Sequence, residues 1–310
     1  MTHALIDRGE VAVVLDNLST GSRSQVPEDA VFVVGDIANR QLVRELIAAY
    51  RIDAVIHFAG SIIVPESVQV PLKYYANNTI NSHALIQTCI EMSVKIFVFS
   101  STAAVYGVPN TPNVDEETHQ IPINPYGRSK LMTEWMLADA SRAHDFRHII
   151  LRYFNVAGAD PYGRTGQSNP SATHLIKRAT QAALGRVPYL EIFGTDYPTP
   201  DGTGIRDYIH VTDLVDAHLL ALDALRAGEQ CSIFNCGYGR GLSVREIVRS
   251  VEQVTGCPLA VREGPRRSGD PPMIVANSTR LKQTLQWVPK YEDPNVIIAS
   301  ALEWERRFNS

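Results

Sequence analysis

The 310-residue sequence contains only four cysteines, carries a net charge of only −4 at pH 7, and has no long apolar run. Four scattered thiols are too few for a disulfide framework or a four-thiolate zinc site, so they indicate a reduced, cytoplasmic protein with no metal centre. The near balance of charge argues against a broad basic face for nucleic acid. No run approaches the ~20 apolar residues that a membrane-spanning helix needs, which argues against a membrane partner.

Short apolar runs alternate with helical patterns through the first half of the chain. The predicted strands are Val11–Leu15, Val31–Val34, Ala54–Phe58, Ile96–Phe99 and His148–Tyr153, and the predicted helices are Arg40–Tyr50, Pro71–Met92 and Tyr126–His144. The strand runs are continuous rather than alternating in hydrophobicity, as in parallel sheets that are buried on both faces. Residues 1–155 are therefore expected to form an α/β domain with a doubly wound, Rossmann-type parallel sheet.

The pattern becomes less regular after residue 155. Further helices are predicted at Ser171–Gly185, Thr212–Arg226, Ser243–Gly256 and Asp293–Phe308, and further strands at Tyr189–Phe193 and Cys231–Cys236. Thr212 is the expected N-cap of its helix. Residues 156–310 are expected to form mainly a smaller α+β substrate lobe, with some chain crossing back to the sheet.

Tyr126 and Lys130 are four residues apart and follow Pro125, which suits the first turn of a helix. In a helix the two side chains share one face. An ammonium beside a phenol favours the phenolate and is expected to lower the tyrosine pKa from ~10. The pair therefore predicts a general base that is usable near neutral pH, although an ordinary amphipathic helix can show the same spacing.

Polar residues follow the predicted strands where a parallel sheet binds its ligands. Thr102 comes shortly after Ile96–Phe99, and its hydroxyl can bond to a substrate hydroxyl and to a nearby tyrosine. Asp16 ends an earlier strand, where an acid accepts hydrogen bonds from the adenosine ribose and repels a 2′-phosphate, so NAD is favoured over NADP. Asp36 is expected near the adenine, and Gly60 permits close approach of the backbone to the cofactor.

Longer motifs surround these residues. They are Asp16–Gly21, Gly35–Ile37, His57–Gly60, Pro65–Val68, Tyr74–Asn78, Ser100–Gly107, Tyr126–Lys130, Arg152–Asn155, Ile192–Gly194 and Asp201–His210. Together they resemble the UDP-glucose 4-epimerases, a family of extended short-chain dehydrogenases/reductases, from Met1 almost to Ser310. The last motif is particularly specific, because it belongs to the nucleotide-sugar lobe rather than to the shared cofactor fold.

The resemblance implies an NAD-dependent isomerase that interconverts UDP-galactose and UDP-glucose through a 4-keto intermediate, in galactose metabolism. It implies a homodimer formed through the helices Pro71–Met92 and Tyr126–His144. The implied catalytic residues are Thr102, Tyr126 and Lys130. The implied cofactor-binding residues are Asp16, Asn17, Asp36, Ile37, Phe58, Ala59, Gly60, Asn77, Tyr126, Lys130, Tyr153 and Phe154. The implied substrate-binding residues are Thr102, Tyr126, Asn155, His174, Leu175, Phe193, Arg206, Arg267 and Asp270.

One feature of that family is absent, namely the Gly-x-x-Gly-x-x-Gly turn that brings the backbone against the pyrophosphate. The sequence opens where the helix after this turn should already be under way, so about 15 residues, including the first strand, are expected to be missing. We therefore expect the neighbours of that strand to lack a partner and the chain to bind NAD poorly. The family often has a lysine two residues after Gly60, where this chain has Ile62.

The sequence leaves the sugar open, since an epimerase for a UDP-pentose, a UDP-uronate or an N-acetyl sugar would carry the same motifs. A truncated, non-catalytic protein that binds nucleotide sugars is a further alternative, and it would bind UDP without NAD. A 4,6-dehydratase is disfavoured, because the Asp-Glu pair that it needs after the strand hydroxyl is replaced by Ala103 and Ala104.

Overall fold

The structure is a computed structural model that describes residues 1–169, 172–267 and 270–308. The chain divides into two compact units, each assembled from three segments. The first unit consists of Met1–Val105, Pro122–Arg152 and Ala217–Phe234. The second consists of Tyr106–Ile121, Tyr153–Asp216 and Asn235–Ser310. Each unit therefore combines segments that are distant in the sequence.

The helices and strands alternate along most of the chain. The α-helices are α1 Thr2–Asp7, α2 Arg40–Tyr50, α3 Val64–Gln69, α4 Pro71–Tyr74, α5 Asn81–Glu91, α6 Pro125–Ala143, α7 Leu175–Ala183, α8 Val211–Arg226, α9 Val244–Thr255, α10 Thr279–Thr284 and α11 Pro294–Phe308. The strands are β1 Val13–Asp16, β2 Val31–Val34, β3 Ala54–His57, β4 Ile96–Thr102, β5 Asn113–Val114, β6 Arg147–Tyr153, β7 Asn155–Ala157, β8 Leu190–Phe193, β9 Ile205–His210, β10 Ser232–Cys236, β11 Gly241–Ser243, β12 Val261–Gly264 and β13 Met273–Ala276.

The first unit is built on a sheet with the strand order β10-β6-β4-β3. Strands β3 and β4 run parallel, and His57 lies opposite Phe99. The α/β class and the Rossmann-type parallel sheet are thus confirmed. Strands β1 and β2 form a separate parallel pair, with Asp16 opposite Val34, and within the described residues β1 has no other hydrogen-bonded neighbour.

Strand β4 is buried along its whole length and anchors the core of the first unit. Phe97 and Phe99 pack with Leu85 of α5, Leu137 of α6 and Ile150 of β6. Each buried side chain of this size contributes roughly 1.5–3 kcal/mol relative to exposure. The polar end of β4 is consequently held on a rigid, well-packed strand.

The second unit is built around β9, which pairs with β7, β11 and β13, while β13 also pairs with β5. Strands β8 and β12 form a separate parallel pair. The buried Asp207 carboxylate of β9 accepts the backbone N–H groups of Tyr238, Gly239 and Ala276. These bonds fix β9 against its neighbours and therefore fix the backbone that carries Arg206.

Two sequence predictions about helices are corrected by the structure. The predicted helix Pro71–Met92 consists of α4, a π-helical segment at Tyr75–Ile80, and α5. Thr212 does not cap α8, which begins at Val211; instead the Nδ1 atom of His210 accepts the N–H of Thr212 at 3.1 Å. The histidine can do so because β9 passes directly into the helix, so its side chain reaches the first turn. None of the helices within the described residues is both long and apolar enough to span a membrane.

Candidate active site

Thr102 and Tyr126 meet at the carboxyl end of β4. Helix α6 begins beside this end because the side chain of Asn124 accepts the N–H of Gly127 at 2.8 Å and Pro125 occupies the first helical position. The Oγ1 atom of Thr102 accepts the N–H of Ala104 at 3.1 Å, and the Thr102 hydroxyl is close enough to the Tyr126 phenol to lower its pKa. Since Oγ1 already accepts one bond, its proton is available to the Tyr126 oxygen.

Lys130 lies one helical turn after Tyr126 and is only 2% exposed. Its Nζ atom donates to the carbonyl oxygen of Ser100 at 2.9 Å and lies 4.9 Å from the centre of the Phe99 ring. A cation above an aromatic face is attracted by the negative face of the ring. The ammonium is therefore fixed against β4 by two neighbouring residues of that strand.

The pKa values at this site differ from the sequence expectation. Burial raises the pKa of Tyr126, and the hydrogen bond from Thr102 offsets part of this effect. Burial lowers the pKa of Lys130 to about 8, against the opposing influence of the Glu134 carboxylate. The expected lowering of the Tyr126 pKa by Lys130 is wrong for this geometry, because the Lys130 ammonium is directed at Ser100 and Phe99.

A chain of polar side chains joins several residues that the sequence assigns to the cofactor. The Nδ2 atom of Asn17 donates to Asp36 at 3.0 Å, and Asn81 donates to Asp36 at 3.4 Å and to Asn77 at 3.5 Å. Asn77 in turn donates to the hydroxyl of Ser61 at 3.0 Å. The structure thus brings the ends of β1, β2 and β3 together with the π-helical segment, as binding of one extended ligand requires.

Glycines provide room along the same edge. A Cβ atom at Gly60 would lie 3.1 Å from Oδ1 of Asn78 and 3.4 Å from Nζ of Lys130. A Cβ atom at Gly21 would lie only 2.9 Å from the Asp16 carboxylate, whose other oxygen accepts the N–H of Leu18 at 2.7 Å. The polar groups beside Asp16 and Gly60 suit the ribose and nicotinamide ends of a dinucleotide.

The remaining cofactor assignments fall into two groups. In the first unit, Phe58 and Ala59 are exposed just after β3, and Ile37 packs partly against the core. Phe58 also contacts His218, with 5.0 Å between the ring centres. In the second unit, Tyr153 ends β6, and Phe154 is buried with its N–H bonded to Cys236.

Two arginines of the second unit are near enough for their charges to interact. Burial lowers the pKa of Arg267, and the charge of Arg206 adds to this effect. The Arg267 guanidinium lies 3.9 Å from the centre of the Phe193 ring, and Arg206 donates to the carbonyl of Ile205. Among the described residues neither arginine forms a salt bridge, whereas the neighbouring Arg266 is paired with Asp196 at 2.7 Å. Two unpaired guanidiniums form a site for an anion such as a diphosphate.

The other substrate assignments lie in the same unit. Asn155 begins β7 and donates to the carbonyl of Asp207 at 3.2 Å. His174 is exposed and precedes α7, of which Leu175 is the first residue. Asp270 lies near Arg267, and its charge partly offsets the lowering of the Arg267 pKa.

Sequence reasoning missed three polar residues of this region, namely Ser61, Asn78 and Asn81. The buried Asn78 accepts the N–H of Ser61 at 2.7 Å and donates to Ser129 of α6 at 3.0 Å. The available signal was a cluster of asparagines inside an otherwise apolar helical pattern. No cluster of three or more side chains suited to a metal ion occurs among the residues that the structure describes.

Comparisons with known proteins agree with this geometry. Residues 1–237 match the NAD dependent epimerase/dehydratase family. The UDP-glucose 4-epimerase of Azospirillum brasilense is 57% identical over 304 residues, which cover 98% of this chain and 87% of that protein. The solved UDP-glucose 4-epimerase from Bifidobacterium longum, in complex with NAD+ and UDP, is 33% identical with a TM-score of 0.93, covering 98% of this chain and 93% of that one. The UDP-Glc/GlcNAc 4-epimerase from Campylobacter jejuni is 46% identical with a TM-score of 0.84, covering 98% and 94%.

A parallel-sheet cofactor fold with a threonine, a tyrosine and a lysine at one strand end defines an NAD-dependent enzyme of the short-chain dehydrogenase/reductase type. The chain belongs to the NAD dependent epimerase/dehydratase family. Within that family it belongs with the UDP-glucose 4-epimerases, given its identity to them over nearly its whole length.

Proposed function

We propose that this chain interconverts UDP-galactose and UDP-glucose by inverting the configuration at C4 of the sugar, with NAD bound in its first unit. The observation that carries the proposal is the placement of Thr102 beside the buried Tyr126, with Lys130 one turn further along α6. This arrangement occurs in a chain that is 57% identical to a named UDP-glucose 4-epimerase.

Tyr126 acts as the general base in this reaction. Its phenolate oxygen takes the proton from the sugar 4-hydroxyl and later returns it to the same oxygen, while the Thr102 hydroxyl donates a hydrogen bond that orients the phenolate. When bound, NAD would supply the acceptor for the hydride that leaves C4 of the sugar and the donor that returns it to the opposite face. Lys130 holds the nicotinamide ribose.

Residues of the second unit hold the nucleotide. Arg206 and Arg267 bind the diphosphate oxygens, because their charges interact and neither forms a salt bridge among the described residues. Asp270 binds the uridine ribose, and the Phe193 ring packs against the Arg267 guanidinium. Asn155, His174 and Leu175 line the path of the nucleotide sugar.

An N-acetyl sugar is the second candidate substrate. One relative that is 46% identical is named a UDP-Glc/GlcNAc 4-epimerase. Ile274 is buried in β13 opposite Arg206, and the resemblance to the UDP-glucose 4-epimerases implies that residue size at this position limits which sugars are accepted. A bulky buried side chain favours UDP-galactose and UDP-glucose over their N-acetyl forms.

We also propose a homodimer through the face that α4, the π-helical segment and α6 present. Leu72, Ile80 and Trp135 are 77%, 63% and 58% exposed on these elements. Large apolar side chains grouped at one surface are typical of protein interfaces. The cytoplasmic location remains a prediction from the free cysteines.

The test is turnover of purified protein supplied with NAD and a panel of UDP-sugars. We expect conversion of UDP-galactose to UDP-glucose and slower or no conversion of the N-acetyl, pentose and uronate forms. Binding of UDP without NAD binding, and without turnover, would instead support the non-catalytic alternative.

A further inference from the structure

A buried ion pair lies one helical turn beyond Lys130. Arg152 donates two hydrogen bonds to the Glu134 carboxylate, from Nε at 3.1 Å and from Nη2 at 2.6 Å. The two side chains therefore form a bidentate ion pair. Glu134 is 3% exposed and Arg152 is 2% exposed. The hydroxyl of Ser101 donates to the same carboxylate. This cluster therefore ties α6 to both β4 and β6.

Glu134 lies on the same face of α6 as the residues that the proposed function assigns to catalysis. Tyr126, Lys130 and Glu134 follow each other at intervals of four residues on α6, so they share one face of the helix. On β4 they are matched by Thr102, Ser100 and Ser101, which contact Tyr126, Lys130 and Glu134 respectively. The carboxylate is thus built into the same contact surface as the base and the ammonium.

Lys130 needs an anionic neighbour, because a buried ammonium is unstable without one. On its own helix it faces Tyr126 and Glu134. His57 of β3 is buried and neutral, since burial and the Lys130 charge lower its pKa to about 3. Strand β4 offers only an aromatic face and a carbonyl oxygen. Arg152 of β6 is a cation, so Glu134 supplies the anionic charge that favours the Lys130 ammonium.

We propose that Glu134, clamped by Arg152 and Ser101, is a positioning residue for the reaction, whose carboxylate is the counter-ion that keeps Lys130 protonated and directed at Ser100. The catalytic part of this inference rests on the proposed function, whereas the electrostatic link between Glu134 and Lys130 does not. Arg152 keeps the carboxylate in one orientation. Without this counter-ion, the lysine would lose its proton at a lower pH and could no longer bind the nicotinamide ribose as a cation.

The direct test is titration of Lys130 by NMR in protein whose six lysines carry ¹³C at Cε. The Lys130 signal is assigned by its loss in Lys130→Arg. In Glu134→Gln we expect the Lys130 midpoint to fall by about one pH unit or more. Asp139→Asn is the matched control, since it removes an exposed carboxylate from the same helix, and it should leave the midpoint unchanged. Glu134→Asp, which keeps the charge, should recover most of the shift.

Glu134→Gln leaves the buried Arg152 charge without its partner, and such a charge can prevent folding. A second variant avoids this problem. Glu134→Gln/Arg152→Gln removes both charges, and its Lys130 midpoint should still lie below that of the parent. Thermal unfolding of each variant verifies that it is folded. An unchanged midpoint in a folded Glu134 variant would overturn the proposal. Lack of turnover by the parent would refute the proposed function, while the titration would still decide whether Glu134 and Lys130 are linked.

If both ideas are correct, turnover shows a further effect. Activity of Glu134→Gln should decline with rising pH from a lower pH than in the parent, because the Lys130 ammonium is lost earlier. KM for the UDP-sugar should change little, since Glu134 contacts no residue assigned to the nucleotide. A uniform loss of activity at all pH values, with an unshifted profile, would indicate a merely structural role and contradict the inference.

Discussion

Thr102 and Tyr126 illustrate how two side chains with ordinary chemistry become a reactive pair. Thr102 is held at the end of a fully buried strand, and its oxygen is occupied by the N–H of Ala104. Its proton is therefore available to the nearby Tyr126 phenol, whose pKa burial raises. A stabilising donor and a desolvated phenol make a base that is strong once it is ionised.

Replacing Tyr126 by phenylalanine removes the proton acceptor and little else. We expect kcat for UDP-galactose to fall at least about 100-fold, as is typical when a general base is lost. Calorimetric titration with UDP should show nearly unchanged binding, because Arg206 and Arg267 are intact. Tyr162→Phe is the control, since Tyr162 is 78% exposed and should be replaceable without effect. Full activity of Tyr126→Phe would refute the assigned role.

The adjacent arginines Arg266 and Arg267 allow a matched test of the diphosphate site. Arg267 lies over Phe193 and forms no salt bridge in the described part of the chain, whereas Arg266 is exposed and paired with Asp196. Loss of a charge-assisted hydrogen bond costs about 1.5–3 kcal/mol, so Arg267→Ala should weaken UDP binding about 10-fold or more. Arg266→Ala should change the affinity little. Equal effects of both variants in calorimetric titration would argue against a specific site.

At the scale of elements, the π-helical segment at Tyr75–Ile80 decides which asparagines reach the site. The wider turn places Asn78 between Ser61 and Ser129, and Asn77 beside Ser61. The sequence pattern indicated a continuous helix over Pro71–Met92, because apolar periodicity does not distinguish a π turn from an α turn. The role of Asn77 could be anticipated from the motif, but the contacts of Asn78 required the structure.

The contact between β6 and α6 contains a histidine that links stability to pH. Burial lowers the pKa of His148 to about 4, and its Nδ1 atom is hydrogen-bonded to Ser141 of α6 at 2.7 Å. The unfolded chain binds this proton near pH 6.5 but the folded chain only near pH 4, so His148 makes the free energy of unfolding decrease as the pH falls through that interval.

Urea unfolding at a series of pH values measures this link. In His148→Asn we expect a smaller decrease in the free energy of unfolding between pH 6.5 and pH 4 than in the parent, whatever its stability at neutral pH. His83→Asn, which replaces an exposed histidine of α5, should keep the slope of the parent. If His148→Asn also retained that slope, His148 would not be the group responsible.

At the scale of the whole molecule, neither unit is a continuous stretch of the chain. Residues 106–121 belong to the second unit, although first-unit residues precede and follow them in the sequence. Residues 217–234 belong to the first unit, although second-unit residues precede and follow them. Asn235 accepts the Tyr106 hydroxyl at 2.7 Å, and its N–H is bonded to Glu116, which explains why the first of these segments joins the second unit. Local patterns cannot reveal such contacts, because they join residues more than 100 positions apart.

The proposed homodimer is a property of the whole molecule and can be tested directly. Trp135→Glu places a charge on the exposed apolar face, so we expect it to convert a dimer into a monomer. Light scattering coupled to size-exclusion chromatography measures the mass. Val288→Glu is the control, because Val288 is 70% exposed outside that face and should leave the dimer intact. A parent protein that is monomeric at micromolar concentration would refute the proposal.

The sequence by itself determined the α/β class, most helices and strands, and the Thr102, Tyr126 and Lys130 series. These features follow from hydrophobic period and short spacing, which are local properties of the chain. Only the tertiary structure decided where the Lys130 ammonium points, that the pKa of Tyr126 is raised, and that Glu134, Arg152 and Ser101 meet beneath it. Those outcomes depend on burial and on contacts between α6, β4 and β6. Both are set by the packing of distant segments rather than by the pattern within any one of them.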